Sequence, residues 1–248
     1  MNGYIDIHSH ILPNVDDGSS NWEMTMDMLH EAYNEDIRII IATPHYGLYN
    51  PTFDIDIARN CVAEVNYRME NMPFKIDVFL GNEIYYIPGI VKDVLDGKAA
   101  TLGNTSYVLL EFSESVKYET VEVAVQEFTR ECYRPIIAHA ERYSNLIDID
   151  LVQINKLKKL GAYFQINTSN FTRKRRMFRK DMRSDSAKAM LKAGFVDFIA
   201  SDAHNNLSRK PVMKNAIEQI CTIACEEQLD RLFSINPKAL AFNEYIER

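Results

Sequence analysis

The chain has 248 residues, of which 46% are hydrophobic and 25% charged, and its formal net charge is -7. That length and balance suit one large α/β domain over residues 1–248, with a core that needs no disulfide staples. No apolar run approaches the ~20 residues that span a bilayer, and the acidic surface as a whole repels nucleic acid and anionic lipid.

The first apolar run, Tyr4–Ile7, opens the stretch YIDIHSHILPNVDDG and is followed at once by His8, His10 and, in the next loop, Asp17. A helix is expected over Asn21–Asn34, then a strand over Arg38–Ala42 with His45 behind it. A helix over Asp54–Met72 leads to a strand over Asp77–Leu80, with Glu83 after it. Tyr107–Leu110 is the fourth strand, followed by Glu111 and a helix over Glu119–Glu131. Pro135–Ala138 is the fifth, with His139 and Arg142 behind it, and a helix over Asp148–Leu160 follows. Tyr163–Ile166 ends in NTSN, and a helix over Ser184–Ala193 comes next. Phe195–Ala200 is the seventh strand, with Asp202, His204 and Arg209 after it, then a helix over Lys210–Cys225. Continuous apolar runs of this length suit strands buried on both faces, and their alternation with helices argues for a parallel sheet.

In a parallel α/β barrel the C-terminal strand ends meet on one face, where active sites sit. Six of the seven strands then carry a metal-competent side chain to one rim: His8, His10, Asp17, His45, Glu83, Glu111, His139, Asp202 and His204. Each alone has a bland explanation; the pattern as a set points to a metal site. Imidazoles and carboxylates without thiolate suit Mn, Fe, Zn or Co and disfavour a cysteine-type structural zinc. Nine ligands are too many for one ion and fit two or three. Three divalent ions outweigh the charges of Asp17, Glu83, Glu111 and Asp202 and would attract a phosphate dianion, for which Arg142 and Arg209 supply bidentate forks.

The pieces DIHSHILPNVDDG, TPHY, GNEIYY, LLEF, IAHAERY and SDAHN, spread over residues 6 to 205, resemble the PHP superfamily of metal-dependent phosphoesterases. Within it the chain is similar to the bacterial manganese-dependent protein-tyrosine phosphatases of capsular and exopolysaccharide gene clusters. The resemblance implies a distorted (β/α)7 barrel with three metals. It implies His8, His10, Glu83 and Asp202 on the first ion, Glu83, Glu111 and His139 on the second, and Asp17, His45 and His204 on the third. Arg142 and Arg209 match the family's phosphate-binding arginines. Some relatives carry histidine where this chain has Asp17 and Glu111, which favours the tyrosine phosphatase branch over the histidinol-phosphatase one.

The chemistry expected is hydrolysis of phosphotyrosine on protein, with a metal-bound hydroxide attacking phosphorus in line with the departing phenolate. Asp17 or a metal-bound water is the candidate acid. Tyr46, Tyr85, Tyr86 and Phe112 follow ligand positions and are candidates for walls of a phenol slot, or equally for packing between strands and helices. The run TRKRRMFRKDMR, residues 172 to 183, is a solvated helix face or a docking surface for an acidic, multiply phosphorylated tail, which the resemblance assigns to a bacterial tyrosine autokinase. His30 is expected to lie exposed and uninvolved. Rival readings are a small-molecule phosphatase, a non-catalytic metal-binding regulator of a kinase, and a non-phosphate metal hydrolase in which the two arginines lack a purpose. A homo-oligomer stays open.

The four cysteines, Cys61, Cys132, Cys221 and Cys225, form no CxxC pair and are expected reduced and buried. With no signal peptide visible, this points to the cytoplasm. Cys225 and Arg231 match the C-x5-R spacing of cysteine-dependent phosphatases, but the string CEEQLDR puts three acidic residues where a phosphate cradle needs small residues and positive surroundings, so a cysteine nucleophile is rejected.

Overall fold

Ile5 and Ile7 of the first strand share one cluster with Ile39, Ile41, Tyr107, Leu109, Ile136, Tyr163 and Phe198, alternate residues of strands far apart in the chain. Period-two alternation puts such residues on one face, here the inside of a barrel. The computed structural model describes residues 3–147, 150–172 and 181–246. In chain order its strands are β1 (Tyr4–Ser9), β2 (Ile37–Ala42), β3 (His45–Tyr46), β4 (Asp77–Leu80), β5 (Glu83–Tyr85), β6 (Tyr107–Glu111), β7 (Arg134–Ile137), β8 (Tyr163–Asn167) and β9 (Phe198–Ala200). The helices used below are α1 (Trp22–Asn34), α2 (Ile55–Met69), α3 (Val91–Leu95), α4 (Tyr118–Arg130), α5 (Val152–Leu160), α6 (Ser169–Thr172), α7 (Met182–Lys192), α8 (Lys214–Cys221), α9 (Glu226–Asp230) and α10 (Asn236–Ala241).

All the strand pairings are parallel: β1 with β2, β2 with β4, and β3, β5, β6, β7, β8 and β9 in sequence. β3 follows β2 after two residues and β5 follows β4 after two, so the nine described segments act as seven strands. The Asp202 amide donates to the His8 carbonyl at 2.9 Å and the His10 amide to the Ala203 carbonyl at 2.8 Å, which joins the last strand to the first. The expected distorted (β/α)7 barrel is the fold observed.

The longer helices form where apolar residues recur at helical spacing, and a polar side chain caps the start of α1, α2 and α7. Asn21 caps α1 by accepting from the Met24 amide, and Thr25, Met28, Leu29 and Ala32 are its buried stripe. Asp54 caps α2 and Asp181 caps α7 in the same way. The α5 helix starts at Val152 rather than Asp148, and α8 spans Lys214–Cys221 rather than Lys210–Cys225. The last strand is Phe198–Ala200, shorter than the expected Phe195–Ala200; just before it the Asp197 side chain accepts from the Phe164 amide while the Asp197 amide donates to the Phe164 carbonyl.

One expectation is overturned. Cys61 is only half-buried, and Cys132, Cys221 and Cys225 are exposed; all four are free thiols. The core is filled instead by aliphatic and aromatic side chains. His30 is exposed, as expected, with its ring 5.4 Å from that of Phe74. No described helix is long and apolar enough to cross a membrane.

Candidate metal centre

Strand parity alone delivers part of the site. Tyr107, Leu109 and Glu111 alternate inward on β6, and Tyr163, Gln165 and Asn167 do so on β8. The same parity with Ile5 and Ile7 inside would leave His8 outside. A bulge reverses it: Asp6 pairs with Ile40 and Ser9 with Ala42, so three steps on β1 match two on β2. Asp6 itself is buried, and its carboxylate accepts from the Ser201 amide and hydroxyl. Burial pushes the Asp6 carboxyl up, against these hydrogen bonds. His139 and Asp202 are re-aimed differently, by left-handed backbone at φ 31° and 52°. Non-glycine residues held in that region are costly and cluster at functional sites.

The side chains converge on Glu83. Its Oε2 lies 3.3 Å from His8 Nε2, 3.3 Å from His10 Nε2 and 3.2 Å from His45 Nδ1, while Oε1 lies 2.7 Å from His139 Nε2. Burial opposes ionisation of Glu83, but the His8 and His139 charges override it and hold the carboxyl well below the usual range. Glu111 Oε1 is 3.5 Å from His139 Nε2, and Asp202 Oδ1 is 3.6 Å from His8 Nε2. Asp17 sits at the mouth, its side chain 65% exposed, with Oδ1 3.5 Å from both His45 Nε2 and His204 Nε2. All nine residues expected as ligands are therefore brought together on one rim. Three groups of donors lie close enough to share an ion: His10, Asp17, His45 and His204; His8, His10 and Asp202; and His45, Glu83 and Glu111. His139 falls outside these groups, and His45 stands nearer Glu83 than the resemblance implies.

Four imidazoles are oriented from behind. His10 Nδ1 donates to Asp16 Oδ2 at 2.6 Å, His8 Nδ1 to Gln165 Oε1 at 3.1 Å and His204 Nδ1 to the Asp202 carbonyl at 3.1 Å. These partner oxygens carry no proton to give, so Nδ1 keeps its proton and Nε2 is the nitrogen that faces the cluster, able to ligate an ion once it is deprotonated. The Tyr143 hydroxyl lies 3.3 Å from His139 Nδ1 and accepts from the Phe112 amide. This outer partnering is characteristic of metal-ligating histidines. His45 is reversed, with Nδ1 inward. His45 Nδ1 and Glu111 Oε2, 3.6 Å apart, are buried and make no hydrogen bond among the described residues. Buried acceptors left facing one another fit a divalent cation, and the hard O and N donor set fits Mn, Fe, Zn or Co.

Asp16, Gln165, Asn167 and Tyr143 were not singled out from the sequence. Asp16 was legible as the first residue of the Asp-Asp pair. Gln165 and Asn167 carry no such signal beyond their inward parity on the one strand that lacks a ligand.

Arg142 and Arg209 flank the same site. Arg142 Nη2 donates to Asp202 Oδ2 and Arg209 Nη2 donates to Asp202 Oδ1 at 2.8 Å. Burial would push the Asp202 carboxyl up, but His8, Arg142 and Arg209 hold it well below the usual range. Burial and the His10 charge hold His204 neutral, its pKa lowered to about 2. Asp17, His45, Tyr49, Glu83, Glu111, Arg142, Asp202, His204 and Arg209 line a pocket of about 300 Å³.

The aromatic candidates are placed differently. Tyr46 packs edge-on to Phe53, and burial and its Asp93 partner push its phenol up to about 12. Tyr86 and Phe112 pack on each other in the core behind the rim, the Tyr86 hydroxyl donating to Glu127. Tyr85 stands beside the pocket without lining it. Tyr49, not singled out from the sequence, does line it. Of the basic run 172 to 183, residues 173–180, with Arg175 and Arg176, lie outside the described residues, and Arg183 pairs with Glu114 at 2.6 Å.

Residues 4–241 match the family model described as capsular polysaccharide synthesis, CpsB/CapC. Tyrosine-protein phosphatase CpsB of Streptococcus agalactiae is 31% identical over 98% of this chain and 100% of its own. Tyrosine-protein phosphatase YwqE of Bacillus subtilis is 30% identical over 83% of this chain and 79% of its own. A crystal structure from the pair YwqE of Bacillus subtilis and CpsB of Streptococcus pneumoniae, described as unique metal-dependent tyrosine phosphatases, superposes with a TM-score of 0.86 at 28% identity, covering 98% of this chain and 96% of that one.

Proposed function

The chain belongs to the CpsB/CapC capsular polysaccharide synthesis family, and from that premise we propose that it is a metal-dependent protein-tyrosine phosphatase acting in the cytoplasm. Its substrate is phosphotyrosine on protein, in particular the tyrosine-rich tail of a bacterial tyrosine kinase of capsule synthesis. The observation that carries this reading is the single Glu83 carboxylate meeting four imidazoles, beside a pocket rimmed by two arginines.

His8, His10, Asp17, His45, Glu83, Glu111, His139, Asp202 and His204 would hold two or three divalent ions, manganese first among them. When bound, such ions make water nucleophilic near neutral pH and offset charge on the phosphoryl oxygens. Arg142 and Arg209 bind the equatorial phosphoryl oxygens, and Asp202 holds both guanidiniums in place between turnovers. Asp16, Gln165 and Tyr143 keep the imidazoles turned so that Nε2 faces inward. Asp17, exposed at the mouth, and a metal-bound water are the two candidates for the acid that protonates the leaving oxygen. A phenol of pKa about 10 leaves with less proton help than an alkyl alcohol. The test is turnover of a phosphotyrosine peptide and of an alkyl phosphate by chelated protein reconstituted with a metal series. Phosphotyrosine turnover restored by manganese is the expected result, and full activity without metal overturns the reading.

A further inference from the structure

Leu48 and Tyr49 are the central residues of a tight turn. The Asn50 amide donates to the Gly47 carbonyl at 3.1 Å, and Gly47 takes φ 97°. A side chain at Gly47 would also press on the Tyr85 carbonyl, 3.3 Å from the position of its Cβ. The Asn50 side chain donates to the Val15 carbonyl at 2.9 Å and ties the turn to the loop of Asp16 and Asp17. Tyr49 thus stands fixed at the pocket mouth, yet 56% exposed. Its ring meets that of His45 edge-on at 5.4 Å and that of Tyr85 at 4.9 Å and 79°.

Resting on the phosphatase reading, we propose that Tyr49 is the specificity-determining residue that reads the aromatic ring of the phosphate ester. With the phosphoryl group between Arg142, Arg209 and the floor, a phenyl ring passes out along Tyr49 and buries the face that water now covers. A serine ester puts its backbone one carbon from the ester oxygen and cannot reach past this wall.

Replacing Tyr49 tests this on the metal-loaded enzyme. Tyr49→Ala is expected to lower kcat/KM for a phosphotyrosine peptide about tenfold, the scale of an aromatic pair, and to leave an alkyl phosphate within about twofold. Tyr49→Phe is expected to keep the wild-type preference. In inhibition, Tyr49→Ala should weaken phenylphosphonate and spare methylphosphonate. Equal losses for both classes overturn the proposal. Wild-type protein that hydrolyses neither ester but prefers phenylphosphonate through Tyr49 overturns the phosphatase reading and leaves the aromatic wall standing.

A different observation carries a second inference. Gln165, fully buried on the strand without a ligand, uses one oxygen twice: Oε1 accepts from His8 Nδ1 at 3.1 Å and from the His139 amide at 2.9 Å. Its Nε2 donates to Asn167 Oδ1 at 2.8 Å, and Asn167 Nδ2 donates to Asp202 Oδ2 at 2.7 Å. We infer that Gln165 is a positioning residue that ties His8, His139 and Asp202 into one unit, so that metal binding by the separate donor groups is coupled. Gln165→Met should weaken manganese binding, followed by calorimetry and metal content, by about 10–100-fold. Gln165→Glu keeps the accepting oxygens and should recover part of the loss. Manganese affinity unchanged in Gln165→Met, with only a lower Tm of the metal-free protein, overturns the inference.

Discussion

His10 Nδ1 and Asp16 Oδ2 are 2.6 Å apart, and the same Asp16 oxygen accepts from the His45 amide at 3.0 Å. One carboxylate therefore orients one candidate ligand and anchors the backbone of another. Burial opposes its ionisation, but the charge and hydrogen bond of His10 override this and hold Asp16 at about 2 against an ordinary 3.8. A carboxyl lowered in the fold stabilises it above the ordinary value and loses that contribution as pH falls through the folded one. The difference corresponds to about 2 kcal/mol. His10, pushed up by Asp16 against its burial, stabilises below 6.5 and loses that contribution as pH rises through its folded value. The pair thus contributes most in metal-free protein between about pH 4 and 6.5. In urea unfolding of metal-free protein, the wild type should lose about 2 kcal/mol more than Asp16→Asn between pH 5.5 and pH 2. Parallel curves would show that the pair is not ionised.

Arg142 and Arg209 share Asp202, one on each oxygen. A guanidinium aimed by a carboxylate holds its remaining N–H groups toward the pocket, where a phosphoryl group would sit. Arg142→Ala and Arg209→Ala should each lower kcat/KM for an aryl phosphate about 100-fold and weaken inhibition by inorganic phosphate. Arg142→Lys should recover little, because an ammonium cannot form the planar fork. Unchanged phosphate inhibition in both alanine variants would take the arginines out of the substrate site.

Much of the fold was legible because buried parallel strands are short apolar runs. Arg38–Ala42, Asp77–Leu80 and Tyr107–Leu110 stand within a residue of their observed strands. The helices α3, α6, α9 and α10 were not legible, since four to six residues hold too few turns for a period to show. The nine candidate ligands could be read from their place after each strand. How His8, His139 and Asp202 turn inward could not, because it depends on a bulge and on two left-handed residues that no side-chain pattern announces. Tyr46 is legible as a candidate because it directly follows His45, whereas Tyr49 carries no such signal. The turn at Gly47 decides otherwise, carrying the chain back over the pocket.

Metal removal has a readout independent of turnover. His45 Nδ1 and Glu111 Oε2 make no hydrogen bond among the described residues, and an ion between them would satisfy both. A ligand present at 100 times its Kd stabilises the fold by about 2.7 kcal/mol, and a chain of this size shifts in Tm by about 2–4 °C per kcal/mol. Manganese added to chelated protein should therefore raise Tm by about 5–10 °C. Glu83→Gln should abolish that shift, since it removes the charge at the centre of four imidazoles. A Tm indifferent to manganese in the wild type would remove the metal centre from the account.

Cysteine chemistry makes the opposite prediction from the metal reading. Cys225 is exposed and heads the short helix α9, followed by Glu226 and Glu227. None of the four cysteines lines the pocket that holds Arg142 and Arg209. A thiolate nucleophile needs positive surroundings and backbone amides aimed at phosphate; Cys225 instead caps α9 through the Gln228 position. Serine is a strong N-cap, so Cys225→Ser should leave the fold as stable or slightly more so. Its kcat/KM for aryl phosphate should stay within about twofold of wild type, and alkylation of the exposed thiols should leave turnover intact. Collapse of activity in Cys225→Ser, with an unchanged Tm and full metal content, would move the nucleophile from the barrel rim to the thiol.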